Sequence, residues 1–289
     1  MDKIQAAIAK ARSARSELRD DRKTETVAPA VAEPAPQPIA PPPTGEADAA
    51  WQELASFAPP AKKMASARIV TFGGGAKEPG AMAMDMLRTK VLHQMRVNGW
   101  KRLAITSPGA HCGKSTVTLN LAFSLARQPN LRTIVAEMDL RRPSLAKILG
   151  AKGTASFSTV LDGKAGFAEA AVRPRPNLAV AVNHGPARNP AELLQSPGIG
   201  PALTAIETTY APSLTIFDMP PMLVSDDAMG FMGHVDCVLL VAAAGATTLR
   251  EIDVCERDLA EQTNVVGVVL NKCRYIEKGA GSYGADGYY

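Results

Sequence analysis

The chain has 289 residues, of which 46% are hydrophobic, so it is long enough for one large α/β domain or two small ones with an ample core. Its net charge of +4 is concentrated in the N-terminal segment, which argues against a general nucleic-acid surface, and we expect no nucleic-acid partner. The cysteines lie far apart without metal-ligand spacing, and the longest apolar run, 237–246, is far shorter than the roughly 20 residues that cross a bilayer. We therefore predict reduced thiols and a cytoplasmic protein that reaches a membrane only through a partner.

Two segments of different composition precede the predicted folded domain. Residues 1–23 carry apolar side chains at helical spacing among many lysines and arginines, which predicts a basic amphipathic helix. Two interpretations of this helix stay open: a solvated helix, which we favour, or one that docks on a partner or an anionic membrane surface. Residues 24–63 are rich in Pro and Ala and predict a disordered, extended linker, with a small apolar patch at Trp51, Leu54 and Phe57.

Residues 64–275 are predicted to form the folded domain. A strand at 68–72 and a helix at 80–98 should come first. Short apolar runs then alternate with helical ones, and these runs lie near Leu103 and at 133–138, 178–182, 214–218, 237–242 and 265–271. Because they lack the in–out alternation of half-exposed strands, they indicate a mostly parallel sheet covered on both faces by helices. The predicted fold class is α/β, and a ligand should lie beyond the carboxyl ends of the strands.

The loop after the first core strand carries the end of a phosphate-binding motif. Gly113 lets the backbone pass close to phosphate, and the next helix turns its free N–H groups toward the anion. Lys114 is placed to reach the outer phosphates of a nucleotide, and the Ser115 hydroxyl to bind magnesium. The general motif has Gly where this chain has Pro108. The predicted nucleotide-binding residues of the loop are Gly109, Ala110, His111, Cys112, Gly113, Lys114, Ser115 and Thr116.

Acidic residues follow two other predicted strands. Asp218 ends the strand 214–218, and Glu137 and Asp139 come at the end of the strand 133–138. An acidic residue after an apolar strand in a phosphate-loop protein is placed to hold magnesium, usually through water. Glu137 and Asp139 are two residues apart and face the same side of an extended segment, so one can assist magnesium while the other accepts a proton from an attacking hydroxyl.

At this point the chain resembles a known family. The phosphate loop, the segments ExDLRRPSL, IFDMPP and LNK, and the pieces FSTVLDG (157–163) and NPAELLQS (189–196) are similar to those of bacterial tyrosine kinases of exopolysaccharide synthesis. These kinases are soluble relatives of the MinD/ParA-type ATPases, and the resemblance covers about residue 64 to the C-terminus. The N-terminal sequence MDKIQAAIAKAR also looks like members without a membrane segment of their own. The resemblance implies a P-loop, MinD/ParA-like fold.

The resemblance implies roles for individual residues, with ATP and Mg²⁺ as cofactors. Lys114 would contact the transferring phosphates, and Ser115, Asp139 and Asp218 would hold magnesium. Glu137 stands where the family has the Asp proposed as base. The implied catalytic set is Lys114, Glu137, Asp139 and Asp218, and Arg141 and Asn271 are further implied nucleotide contacts.

The chain departs from the family's pattern in three places. A Glu at 137 carries its carboxylate one carbon–carbon bond farther out than Asp, and the loop reads AHCGKS where the family has PGEGKS. The family's E-x-x-R-x-x-R pattern, which supports ring assembly, falls on Met82, Asp85 and Arg88, and only Arg88 matches. The MinD/ParA branch differs in another way: it has an additional lysine in the phosphate loop, and this chain has Gly109 at that position. That replacement favours the kinase branch.

The predicted tail, 276–289, contains Tyr283, Tyr288 and Tyr289 among glycines, which predicts a flexible, exposed segment. The family's terminal tyrosine cluster, phosphorylated by a neighbouring subunit, implies that these three are acceptors, whereas Tyr275 is interpreted as structural.

Two hypotheses follow. The first is an ATP-dependent tyrosine autokinase that regulates polysaccharide polymerisation or export at the inner face of the membrane. The resemblance implies as its partners a membrane chain-length regulator, further copies of the chain and a tyrosine phosphatase. The second is a nucleotide-dependent switch without tyrosine transfer. A DNA-associated ATPase is a weaker third option.

Overall fold

A computed structural model of the chain describes residues 45–73 and 79–273, all of which lie in the compact unit formed by residues 36–289. The predicted helix 1–23, the linker up to residue 44 and everything from residue 274 onward, including Tyr275 and the three tail tyrosines, lie outside the described residues. In chain order the elements are α1 (Glu46–Glu53), α2 (Ala61–Ser66), α3 (Pro79–Asn98), β1 (Arg102–Thr106), α4 (Lys114–Leu125), β2 (Thr133–Glu137), α5 (Leu145–Leu149), α6 (Phe157–Leu161), α7 (Phe167–Ala170), β3 (Ala171–Arg175), β4 (Leu178–Ala181), α8 (Pro190–Leu194), α9 (Ile199–Tyr210), β5 (Leu214–Asp218), α10 (Asp227–Phe231), a 3₁₀ turn (Met232–His234), β6 (Cys237–Ala243), α11 (Leu249–Ala260) and β7 (Asn264–Asn271).

The described strands form one seven-stranded sheet in the order β3-β4-β2-β5-β1-β6-β7. Every neighbouring pair is parallel except β3 and β4. The predicted α/β fold with a mostly parallel sheet is therefore confirmed. None of the helices in the described ranges is long and apolar enough to span a membrane.

Helices cover both faces of the sheet, which explains why the central strands read as unbroken apolar runs. Every residue of β2, β5 and β6 is buried. One face packs against α3, α4 and α5, and the other against α6, α9, α10 and α11. The carboxyl ends of β1, β2 and β5 lie side by side in the middle of the sheet. Ile105 pairs with Asp218, and Glu137 pairs with Asp218 from the other side.

Part of the predicted disordered linker is folded, so the sequence prediction is wrong for residues 45–63. These residues form α1 and α2, and the side chains of Trp51 and Leu54 are fully buried. The Trp51 indole N–H donates to the Pro176 carbonyl at 2.7 Å, and the Arg132 guanidinium lies 4.7 Å from the centroid of the indole ring. The chain then runs parallel to β3, with the Phe57 N–H donating to the Arg173 carbonyl at 3.1 Å. The Trp51 side chain supplies the buried apolar surface that the Pro/Ala-rich composition lacks.

The strand predicted at 68–72 is also wrong, because this segment is a series of turns. Two of its backbone N–H groups donate to partners that are not in a neighbouring strand. The Thr71 N–H donates to the Asn120 side chain at 3.2 Å, and the Ile69 N–H to the Met64 carbonyl at 2.9 Å. The edge strand β3 was not predicted, since its Pro174 and two arginines do not resemble a core strand.

Candidate nucleotide site

The loop between β1 and α4 forms a cradle at the carboxyl edge of the sheet. Gly113 ends it with φ 95°, in the left-handed region, and a Cβ there would lie 2.2 Å from the Asn271 side-chain nitrogen. Glycine is therefore required at this position. The helix that follows, α4, has twelve residues and begins at Lys114, directly after Gly113. A helix N-terminus of this kind favours an anion such as a phosphate group.

His111 and Cys112, the two unusual loop residues, point in different directions. His111 is exposed, has φ 63° and lines the cleft above the loop. Cys112 is buried, with its sulfur 3.6 Å from the Thr247 hydroxyl, and it does not line the cleft. The Asn271 side chain donates to the Cys112 carbonyl at 2.9 Å. Asn271 thus braces the loop from the end of β7, and its direct contact with a nucleotide stays a prediction.

A cleft of about 290 Å³ opens above the cradle and collects most of the predicted site. Its lining residues are Ala110, His111, Gly113, Lys114, Ser115, Thr116, Asp139, Arg141, Arg142, Ser144, Pro220, Pro221, Val224 and Ser225. Of the predicted residues, Gly109, Cys112, Glu137, Asp218 and Asn271 do not line it. Gly109 lies in the same loop, where its carbonyl accepts a hydrogen bond from the Ser107 hydroxyl at 2.7 Å.

Lys114 and Asp139 face each other across this cleft. The Lys114 Nζ lies 3.7 Å from Asp139 Oδ2, and the other carboxylate oxygen accepts the Arg142 N–H at 3.0 Å. Burial raises the pKa of Asp139, and the neighbouring Lys114 ammonium opposes that rise. Asp139 is therefore a buried carboxylate with one oxygen directed toward the Lys114 ammonium.

Asp218 and Ser115 form the candidate magnesium site. The Ser115 hydroxyl donates to Asp218 Oδ2 at 2.7 Å, and the Thr118 hydroxyl donates to Oδ1 at 3.1 Å. Burial raises the pKa of Asp218 to about 6, against the effect of the Lys114 ammonium. A hydroxyl and carboxylates supply the hard oxygen donors that Mg²⁺ prefers, with its remaining positions left to water and phosphate. The residues present fit this ion.

Glu137 is fully buried, and its carboxylate is occupied by backbone amides. One oxygen accepts the N–H groups of Ser144 at 2.5 Å and Leu145 at 2.7 Å, and the other accepts that of Asn183 at 2.7 Å. Burial raises the pKa of Glu137 to about 7, although these three N–H groups oppose the rise. The two acidic residues predicted to act as a pair are therefore placed in different surroundings.

Three polar residues near the site were not singled out from the sequence. The Ser144 hydroxyl lies 3.0 Å from the Ser115 hydroxyl, and the Asn183 side chain donates to the Glu137 carbonyl at 3.0 Å. Asp227 is buried and binds Arg141 through both guanidinium Nε and Nη2, the latter at 3.0 Å. Asn183 follows the end of β4 by two residues and Ser144 follows the end of β2 by seven, both at the functional edge. That position is the signal that could have identified them.

Comparison with known proteins identifies the family. Residues 103–279 match the CobQ/CobB/MinD/ParA nucleotide-binding domain, which is more than half of the chain. The chain belongs to this family. The structure of MinD from Pyrococcus horikoshii, solved in complex with Mg-ADP, covers 61% of the chain with a TM-score of 0.52, and at 19% identity it supports the shared fold alone.

Several proteins similar to this chain are named as tyrosine kinases. The tyrosine-protein kinase Wzc of Salmonella typhi is 30% identical over 210 residues, which is 72% of this chain and 28% of that protein. CpsD of Streptococcus agalactiae is 28% identical over 71% of this chain and 87% of its own length. The kinase domain of Escherichia coli ETK superposes with a TM-score of 0.64 at 27% identity, covering 73% of this chain and 82% of that one. The resemblance to bacterial tyrosine kinases is confirmed, although the chain spans only about 28% of Wzc.

Proposed function

We propose that the chain is a Mg-ATP-dependent protein-tyrosine kinase that acts on the tail tyrosines of another copy of itself. The observation that carries this proposal is the convergence of Lys114, Asp139, Ser115 and Asp218 on one cradle. The names of its relatives, which include Wzc and CpsD, support tyrosine as the acceptor. The proposed acceptors are Tyr283, Tyr288 and Tyr289.

In the proposed reaction, a tyrosine oxygen forms a bond to the γ-phosphorus of ATP as the bond to the β-phosphate oxygen breaks, and ADP leaves. Bound Mg²⁺ would neutralise charge on the β- and γ-phosphates. Lys114 and the N–H groups of α4 would bind and orient the phosphates, and Ser115 would hold the ion, with Asp218 acting on it through water. The tyrosine proton passes to a carboxylate at the carboxyl end of β2, either Glu137 or Asp139.

We also propose a biological setting for this activity. A kinase related to Wzc and CpsD would regulate the polymerisation or export of an exopolysaccharide or capsule from the inner face of the membrane. A membrane chain-length regulator would recruit it through a cytoplasmic segment, and a tyrosine phosphatase would reverse the modification. One relative, from Klebsiella pneumoniae, is named for its place in a cps region, which supports this setting.

A second candidate is a nucleotide-dependent switch of the same pathway that transfers nothing to tyrosine. Two observations favour it. His111 brings a bulky side chain to the cleft where phosphates would bind, and Glu137 has its carboxylate engaged by backbone amides. In this case ATP binding alone would control docking on the partner.

One assay separates the two candidates. Purified protein is incubated with Mg-ATP, with and without the partner's cytoplasmic segment, and phosphotyrosine is detected by immunoblot. The kinase proposal expects a signal that Lys114→Met removes and that Phe at Tyr283, Tyr288 and Tyr289 together nearly removes. The control is Lys101→Met, which alters an exposed lysine at the amino end of β1, and it should leave the signal intact. ATP binding without phosphotyrosine in any condition would instead refute the kinase proposal and favour the switch.

A further inference from the structure

Glu137 and Asp139 lie two residues apart, yet they have different access to the cleft. Glu137 has 0% of its surface exposed and does not line the cleft, whereas Asp139 lines it and is 8% exposed. A proton acceptor must come within hydrogen-bond reach of the tyrosine hydroxyl, directly or through one water. Of the two carboxylates, only Asp139 borders the space that a substrate can enter.

Both oxygens of the Glu137 carboxylate also accept hydrogen bonds from backbone amides. It accepts backbone N–H groups from Ser144 and Leu145, at the start of α5, and from Asn183, just after β4. The Asn183 side chain closes the network by donating to the Glu137 carbonyl at 3.0 Å. These contacts tie the segments after β2 and β4 to one buried side chain.

The segment that Glu137 holds reaches the phosphate cradle. The Ser144 N–H is bound by Glu137, and the hydroxyl of the same residue lies 3.0 Å from the Ser115 hydroxyl. The Ser115 hydroxyl in turn donates to Asp218 at 2.7 Å. A continuous series of hydrogen bonds therefore runs from Glu137 to the two residues that are suited to hold magnesium.

We propose that Glu137 is a positioning residue that holds Ser144 against Ser115, rather than the base that receives the tyrosine proton. The contrast with a base rests on the proposed kinase function. The part concerning Ser144 and Ser115 applies equally to a protein that only binds Mg-nucleotide. Outer contacts of this kind orient metal ligands, and their loss typically costs about 10-fold to 100-fold in metal affinity.

The length of the Glu side chain supplies the sharpest test. Replacing it by Asp withdraws the carboxylate by one carbon–carbon bond, about 1.5 Å. Hydrogen bonds of 2.5 to 2.7 Å to three amides cannot all survive such a retraction. Glu137→Asp restores the residue of the family's pattern, so a role as base expects this variant to keep or gain activity. A positioning role expects it to lose contact with Ser144.

The experiment uses the full chain with Glu137→Asp, Glu137→Gln and Ser144→Ala, and with Glu256→Asp on the exposed side of α11 as the matched control. Hydrogen exchange is measured at the amides of Ser144, Leu145 and Asn183, and Mg-ADP affinity by calorimetry. Glu137→Asp should speed exchange at these amides at least tenfold and weaken Mg-ADP binding about tenfold. Ser144→Ala should weaken binding similarly without faster exchange at Asn183, and the control should change neither.

Turnover separates the two roles further. Glu137→Gln keeps an oxygen for the Ser144 and Leu145 amides but cannot act as a base, and its kcat should fall less than tenfold. The proposal is overturned if Glu137→Gln loses about 10²-fold or more of kcat at unchanged Mg-ADP affinity while Glu137→Asp stays active. A wild-type protein without phosphotyrosine would refute the kinase function but not the positioning role of Glu137. Amide exchange and Mg-ADP affinity would still decide the role of Glu137, also if one of the variants fails to fold.

Discussion

The carboxyl and amino ends of the parallel strands differ in the kind of side chain that is buried there. At the carboxyl ends, charged side chains are buried around a cleft, and the carboxylates of Glu137 and Asp218 are fully enclosed. At the amino ends, α1 lies against α9 and the start of β2, held by the Trp51 ring and the Arg132 guanidinium above it. The buried charges at the carboxyl ends suit a charged ligand, whereas the buried indole at the amino ends stabilises the fold.

This difference has an energetic meaning. Burial raises the pKa of Asp218 to about 6 and that of Glu137 to about 7, so holding both as carboxylates at neutral pH opposes folding. The Trp51 side chain instead removes a large apolar surface from water and satisfies its N–H on Pro176. We therefore expect changes at the amino ends to alter stability, and changes at the carboxyl ends to alter activity.

Trp51→Ala should have the largest effect on stability. The side chain is 0% exposed, and removing a buried aromatic ring typically costs about 3 to 5 kcal/mol in the free energy of unfolding. Urea unfolding measures this change, and calorimetry should find Mg-ADP affinity unchanged in the folded protein. Trp51→Phe keeps a ring but loses the hydrogen bond to Pro176, and it should cost far less. A loss below about 1 kcal/mol for Trp51→Ala would mean that α1 is not anchored by this residue.

Asp218→Asn should show the opposite pattern. Loss of a magnesium ligand should lower tyrosine phosphorylation about a hundredfold or more, equivalent to about 3 kcal/mol in the activation barrier. The free energy of unfolding should stay level or rise, because a fully buried carboxylate is replaced by a neutral group of the same shape. Phosphorylation is followed by radiolabel and stability by urea unfolding. A marked destabilisation would contradict the assignment of the carboxyl edge to function.

The pH dependence of stability should report on the same edge. The pKa of Glu137 is raised from 4.5 to about 7, so the folded state binds its proton more tightly than the unfolded state does. The resulting stabilisation is complete below pH 4.5 and is lost as the pH rises through 7, which amounts to about 3 kcal/mol. Asp218 adds a change of the same sign between pH 3.8 and about 6. Unfolding free energies from pH 4.5 to 7.5 should fall less steeply in Glu137→Gln than in the wild type, and parallel curves would disprove the contribution of Glu137.

The carboxyl edge was predictable because its signals are local. Unbroken apolar runs, each followed by an acidic or glycine-rich turn, predicted the parallel strands and the positions of Lys114, Asp139 and Asp218. Periodicity does not encode which of two nearby carboxylates faces the cleft. Glu137 is turned toward Asn183, which is distant in sequence, and that contact depends on the pairing of β2 with β4.

The structure of the amino edge was not predicted because contacts between residues distant in sequence stabilise it. Residues 45–63 have the composition of a linker, and Trp51 finds its hydrogen-bond partner at Pro176. The segment 68–72, which was predicted to be a strand, forms turns for the same reason. Asn120 replaces the strand partner that a β-branched run usually needs. Local sequence determines conformational preference, whereas the conformation of these segments is determined by the surface on which they pack.

Asp48→Ala should have the smallest effect and should show what anchors α1. The Asp48 carboxylate binds Arg132 at 2.7 Å, but its side chain is 48% exposed, and pairs of this kind contribute at most about 1 kcal/mol. Arg132 keeps the Tyr210 carbonyl and the Trp51 ring as partners in the variant. We expect a loss below about 1 kcal/mol that shrinks further at high salt, measured by urea unfolding in 0.05 M and 0.5 M NaCl. A loss as large as that of Trp51→Ala would mean that charge, rather than burial of the indole, holds the N-terminal segment on the sheet.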